Sequence, residues 1–357
     1  MKEQKPEFAA ARRLQSLLLA GCAAAVSMSL LAQEGPAPIT ELTVVDLEQI
    51  GDPPTGPYGV VVEHDPGLAT HTIYRPAELA MERHPVVVWG EGGCAKNGLM
   101  FPEFLSEIAS HGFVVIADGP PGARGAGAGG PNGPAARGAG GPGGARAGGP
   151  PQGAPGAGGA RAGGPPPGAG APGRPGPGAG NAMVNGTDLI AAIDWLEKEA
   201  ADSNSRFHDK VNVDGVAAMG MSCGGLMSYG ASNDPRVATV GIWNSGLFEP
   251  DQELYDGIHG SVIIVTGGES DIAYANGKRD FEDLPENVPV FYGVYPSVGH
   301  GGTYNQDNGG PYGVAAVAWL KWQLLGDTSA SGRGYFVGDD CGICRDSNWV
   351  TDSRSLR

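Results

Sequence analysis

A chain of 357 residues with a formal net charge of −16 is a poor partner for nucleic acid or an anionic surface, because its field repels phosphate. Many of its 62 glycines and 30 prolines fall between residues 119 and 180, a tract of almost only Gly, Pro, Ala and Arg. Setting aside that tract and the N-terminal segment leaves roughly 260 residues, enough for one domain with a sizeable core.

The chain opens with Lys2, Lys5, Arg12 and Arg13, followed by an apolar run from Leu17 to Leu31 and a return to polar sequence at Gln33. That order predicts a secretory signal over residues 1–32 and an exported protein. Leu19-Ala20-Gly21-Cys22 also resembles a lipoprotein box, so a lipid on Cys22 is the one membrane attachment expected. The apolar run continues past Cys22, which favours ordinary cleavage near Ala32. By either route the mature chain meets an oxidising compartment. Cys94, Cys223, Cys341 and Cys344 then predict two disulfides. Their dispersal over two loops and a tail argues against a zinc site, and no metal is expected.

Gly59–Glu63 and Thr70–Tyr74 are predicted as two early strands, and the apolar run Pro85–Trp89 as a buried one. A helix is expected over Phe101–Ser110, ended by Gly112, and then a strand over Phe113–Ala117. Helical periodicity returns over Asn185–Ala200, where Leu189, Ile190, Ile193 and Leu196 share a face. A strand over Val213–Met219 runs into a helix over Ser222–Ala231. Val237–Ile242, Ser261–Thr266 and Val288–Tyr295 are further strands, Tyr312–Leu325 is the last helix, and the tail 327–357 is expected to be irregular. Two initial strands followed by strand-helix alternation predict an α/β fold, a mostly parallel sheet with helices on both faces. Ligands in such sheets sit at the carboxyl ends of the strands.

The domain is expected to comprise residues 33–118 and 181–326, interrupted by the tract 119–180. The octet Gly144–Pro151 recurs at Gly159–Pro166, but the Gly-X-Y frame breaks near Gly127, and collagen tolerates no such break. Without aromatic or branched apolar residues the tract cannot offset its ordering entropy, which predicts a disordered loop.

Gly220-Met221-Ser222-Cys223-Gly224 fits Gly-x-Ser-x-Gly, with a predicted strand leading in and a helix leading out. A sharp turn there strains the serine and exposes its hydroxyl, and the helix N-terminus favours developing negative charge. Such a hydroxyl needs a base. In the chain order Ser, acid, His, His300 is the one histidine after Asp271, and it lies among glycines beyond the last strand. The acid should follow the strand over Ser261–Thr266, where Gly267-Gly268-Glu269-Ser270-Asp271 offers Asp271, with Glu269 as competitor. An oxyanion needs two backbone donors. Cys223 N–H, just after the nucleophile, is one. Glu91 N–H, in the glycine loop after Trp89, is the second candidate, with its side chain expected to point outward. Cys94 and Cys223 flank these donors and are expected to bridge, leaving Cys341 to pair with Cys344. The alternative is a small buried thiol at Cys223.

Taken together, these motifs resemble the secreted cutinase-like and dienelactone-hydrolase-like branch of the α/β-hydrolases, which includes polyester hydrolases. The likeness spans roughly Tyr58–Leu325 without the insert. It rests on Gly220-Met221-Ser222-Cys223-Gly224-Gly225 and Gly267-Gly268-Glu269-Ser270-Asp271. It implies carboxylic-ester hydrolysis through Ser222, Asp271 and His300 on a small or polymeric ester, with no cofactor. It also implies that Trp243 and Met221 border the substrate cleft. Met221 stands where an aromatic residue is common, Glu91 where an apolar one is, and the insert is foreign to the branch.

Two other readings compete. Gly90-Glu91-Gly92-Gly93-Cys94-Ala95, with Asp118 ending the next strand, fits a dinucleotide-binding fingerprint. A non-catalytic surface protein that binds a partner through its low-complexity loop is the second.

Overall fold

The computed structural model describes residues 39–46, 52–79, 83–124 and 184–356. The signal segment expected over 1–32 and the tract from 125 to 180 lie outside the described residues. Ten strands form one sheet: β1 (Thr43–Val45), β2 (Val60–His64), β3 (His71–Pro76), β4 (His84–Gly90), β5 (Val114–Asp118), β6 (Val211–Met221), β7 (Val237–Trp243), β8 (Ser261–Thr266), β9 (Val290–Val294) and β10 (Val350–Arg354). Their order is β1-β2-β3-β5-β4-β6-β7-β8-β9-β10. The six strands β5-β4-β6-β7-β8-β9 are mutually parallel. The first three strands and β10 pair antiparallel at the two flanks.

The central strands are mostly apolar because both faces are covered. Every residue of β4, β5 and β8 is buried. Alternation divides them between two cores. Val86, Val88, Val262 and Ile264 join Leu189, Ile193 and Leu226 on one face. Val87, Trp89, Ile263 and Val265 join Phe104, Ile108, Ala315 and Trp319 on the other. The first face is covered by α2 (Thr187–Ala201), α3 (Cys223–Ala231) and α5 (Tyr274–Asp283), the second by α1 (Pro102–Ser110) and α6 (Gly310–Leu325). Each fully buried branched or aromatic side chain of this kind contributes about 1.5–3 kcal/mol.

The chain leaves β4 for β5 on one side and returns to β6 on the other. This reversal makes the carboxyl ends of β4 and β6 the topological switch point of the sheet, the usual ligand position in such sheets.

The tail departs from expectation. Residues after 326 form α7 (Arg333–Phe336), α8 (Gly342–Arg345) and the edge strand β10, paired with β9 from Val350↔Val294 to Arg354↔Val290. Phe336, Ile343 and Trp349 are buried in the α6-side core. The segment was illegible as structure because Val-Thr-Asp-Ser-Arg at an exposed edge has no apolar alternation. Pairing with β9 makes it a strand. Two further helices, α4 (Gln252–Asp256) and α5, also escaped the periodicity reading.

Candidate active site

A single residue, Ser222, separates β6 from α3. Ser222 adopts φ 55° and ψ −114°, a strained conformation for a residue with a side chain. Main-chain bonds hold it there: Ser222 N–H donates to Trp243 O at 2.9 Å, and Ser245 Oγ donates to Ser222 O at 2.6 Å. The turn is this tight because glycines let backbones meet. A Cβ on Gly224 would lie 1.9 Å from Gly90 O, and one on Gly220 would lie 2.3 Å from Gly224 C.

His300 and Asp271 converge on this serine. His300 Nε2 lies 3.0 Å from Ser222 Oγ, and His300 Nδ1 lies 2.6 Å from Asp271 Oδ1. The Asp271 side chain is fully buried, while His300 keeps 26 % of its surface. Burial alone would push the Asp271 carboxyl up. Hydrogen bonds from His300 and from the Gly267 and Ala273 N–H groups outweigh it and hold the carboxyl below its ordinary value. Glu269, the competing acid, is exposed. The other six histidines lie at structural contacts: His84 Nδ1, for example, is 2.7 Å from Gly112 O, and His71 Nε2 is 3.1 Å from Asp188 O.

Of the two candidate oxyanion donors, Cys223 is the first residue of α3, whose N-terminus faces the turn. Glu91 directly follows Gly90, which pairs with Gly220 at the carboxyl ends of β4 and β6. A disulfide joins the two stretches, Cys94 to Cys223, with Cα atoms 5.2 Å apart. Cys341 is bonded to Cys344.

The Glu91 side chain corrects the expectation that it points outward: the residue is 0 % exposed. Oε2 accepts from Trp89 Nε1 at 3.0 Å, and Oε1 is buried with no partner among the described residues. Burial, opposed by the Trp89 bond and reinforced by Asp118, pushes this carboxyl well above its ordinary range. That shift favours the neutral carboxyl over a charge beside an oxyanion.

Trp243 is a second correction. It is 0 % exposed and packs against Phe104 and Tyr312, with ring centroids 5.6 Å away in each case. Alternation along β7 turns it into the α6-side core. Met221 is 7 % exposed, and its sulfur sits beside Gly92, near the site but mostly buried. The dinucleotide fingerprint lacks its structural context. Residues Gly92–Cys94 form a short 3₁₀ turn, and the next α-helix begins only at Pro102.

One residue escaped the motif reading altogether. Asn244, fully buried at the end of β7, donates from Nδ2 to Asp271 Oδ2 at 2.7 Å. No motif covers it. Its one visible signal is a polar residue directly after an apolar strand, at the edge where the other site residues stand.

Among the described residues no group of three or more His, Cys, Asp or Glu is placed to hold a metal ion. No protein-family model and no curated protein matches this chain.

Proposed function

We propose that the protein is an exported serine hydrolase of the α/β-hydrolase fold that cleaves carboxylic esters through an acyl-enzyme. The observation that carries the reading is the hydrogen-bonded line Ser222–His300–Asp271, built on a strained strand-to-helix turn. Ser, acid and His occur in the chain order this fold uses, and each side chain follows a parallel strand at the same edge of the sheet.

Ser222 Oγ attacks the ester carbonyl carbon while His300 Nε2 takes its proton. Asp271, ionised and buried, orients the ring through Nδ1–H and stabilises the imidazolium. The Cys223 and Glu91 N–H groups receive the oxyanion. Collapse of the tetrahedral intermediate breaks the carbon–oxygen bond to the alcohol, which leaves with the proton from Nε2. Water then attacks the acyl-enzyme, again losing a proton to Nε2. The second collapse returns that proton to Ser222 Oγ and frees the carboxylic acid.

The test is labelling with a fluorophosphonate, followed by turnover of short p-nitrophenyl esters. The wild-type chain is expected to label at Ser222 and to hydrolyse the esters. Ser222→Ala is expected to lose label and several orders of magnitude in kcat while folding normally. Labelling elsewhere, or turnover that survives Ser222→Ala, refutes the reading.

A further inference from the structure

The end of β7 and the loop after it bond Ser222, Asp271 and the residue before His300, and no motif includes them. Trp243 O accepts from Ser222 N, Ser245 Oγ donates to Ser222 O, and Asn244 lies between them. The Asn244 main chain sits in the left-handed region at φ 44°, with its N–H donating to Val265 O of β8 at 2.7 Å. From there the amide reaches across the strand ends toward Asp271, after β8, and Gly299, after β9.

The amide's own bonds settle its orientation. Nδ2 lies 2.7 Å from Asp271 Oδ2 and 3.1 Å from Gly299 O. Both partners are pure acceptors, since Asp271 is held ionised, so the NH₂ must face them. The carbonyl then faces Tyr304, whose hydroxyl donates to Oδ1 at 2.6 Å. One hydrogen of the amide thus reaches the carboxylate oxygen that His300 does not use. The other reaches the carbonyl of the residue directly before His300.

We propose that Asn244 is the positioning residue of this site, oriented by Tyr304. It fixes Asp271 relative to the His300 loop and keeps the carboxylate ionised by donating to its second oxygen. The proposal rests on the serine-hydrolase reading. The remaining titratable groups that face Asp271 are Tyr292, Tyr304 and Tyr312. Burial pushes each of these hydroxyls upward, so they stay neutral and leave the Asp271–His300 pair to set the acid side of a pH–rate profile.

The experiment compares Asn244→Leu and Tyr304→Phe with wild type. Fluorophosphonate labelling, kcat and KM on a short p-nitrophenyl ester, and the pH profile of kcat are each measured. Asn244→Leu removes a hydrogen bond to a charged group, which corresponds to a fall in kcat of about 10- to 100-fold, with KM nearly unchanged. Without the amide donor Asp271 holds a proton more tightly and attracts the imidazolium more strongly. Both effects move the acid limb of kcat to higher pH. Tyr304→Phe leaves the amide in place but removes the hydroxyl that holds its NH₂ toward Asp271, and is expected to show the same upward movement with a smaller fall. It decides the matter by itself if the leucine variant does not fold. An unmoved acid limb, or a kcat within about threefold of wild type, overturns the proposal. Failure of wild type to label at Ser222 is a separate result that would refute the hydrolase reading instead.

Discussion

Two carboxyl groups are buried at the carboxyl edge of the same sheet, and their surroundings drive them in opposite directions. Asp271, after β8, accepts hydrogen bonds from His300, Asn244, Gly267 N–H and Ala273 N–H, and lies below its ordinary value. Glu91, after β4, has among the described residues only the Trp89 indole, and is pushed well above its own. Burial is common to both, so burial does not decide the charge. The number and direction of donors do. The loops differ in the same way. The β8 loop is held by hydrogen bonds that need a charge at their centre. The β4 loop is held by the Cys94–Cys223 bridge and by apolar packing, which need none.

Exchanging each acid for its amide tests this contrast most strongly. Asp271→Asn keeps the shape but removes the charge that orients the imidazole and stabilises its cation. A loss of kcat on the order of 10⁴ is expected, by analogy with the same change in a well-characterised triad. Glu91→Gln copies the neutral form that the upward shift favours and is expected to change kcat by less than about tenfold, or 1.4 kcal/mol. Steady-state rates on one p-nitrophenyl ester check both. Similar losses in the two variants would erase the distinction.

The next effect in size is on the β4 loop's covalent hold. The Cys94–Cys223 bridge spans 129 residues of sequence, and the Cys341–Cys344 bridge spans 3. Constraint of the unfolded chain grows with loop length, so losing the first bridge is expected to cost about 2–4 kcal/mol of stability. Losing the second should cost far less. Denaturant melts of Cys94→Ser/Cys223→Ser and of Cys341→Ser/Cys344→Ser measure the difference. Equal midpoints would mean that the long bridge constrains little.

What the amino-acid sequence disclosed follows from how each feature is encoded. Ser222, Asp271 and His300 were legible because each stands just beyond an apolar strand, in an order that a parallel sheet can gather at one edge. Asn244 was not, because its role depends on one main-chain turn and on Tyr304, sixty residues later, whose hydroxyl orients the amide. Trp243 was misassigned by resemblance although alternation contained the answer: Val240 and Ile242 face the α3-side core, so Trp243 must face the other. Glu91 carried a similar clue. Trp89 precedes it by two residues, which puts both side chains on one face of a continuing strand and an indole N–H within reach of the carboxyl. The β10 strand had no local signal, because a polar edge strand is specified by its neighbour.

The smallest expected effect is also the most direct measure of the contrast, because it reads protons rather than rates. In the folded protein burial shifts the Glu91 carboxyl upward, whereas in the unfolded chain the proton leaves near pH 4.3. Above that value the native state binds more protons than the unfolded one at this position. Stability from this group therefore falls as pH rises. Asp271 has the opposite sign: its folded value is depressed, so its contribution is present above the ordinary carboxyl range and fades as pH falls. Glutamine at position 91 cannot ionise in either state and removes the Glu91 contribution alone. Thermal melts across about pH 4 to 8 should show Glu91→Gln matching wild type at the acid end, where both side chains are neutral. The variant should gain on wild type steadily as pH rises. In Asp271→Asn the gap should also widen toward neutral pH, but with the variant below wild type. If the Glu91→Gln curve stays parallel to wild type throughout, Glu91 carries its charge in the folded protein. The loop after β4 would then hold an ion, as the loop after β8 does.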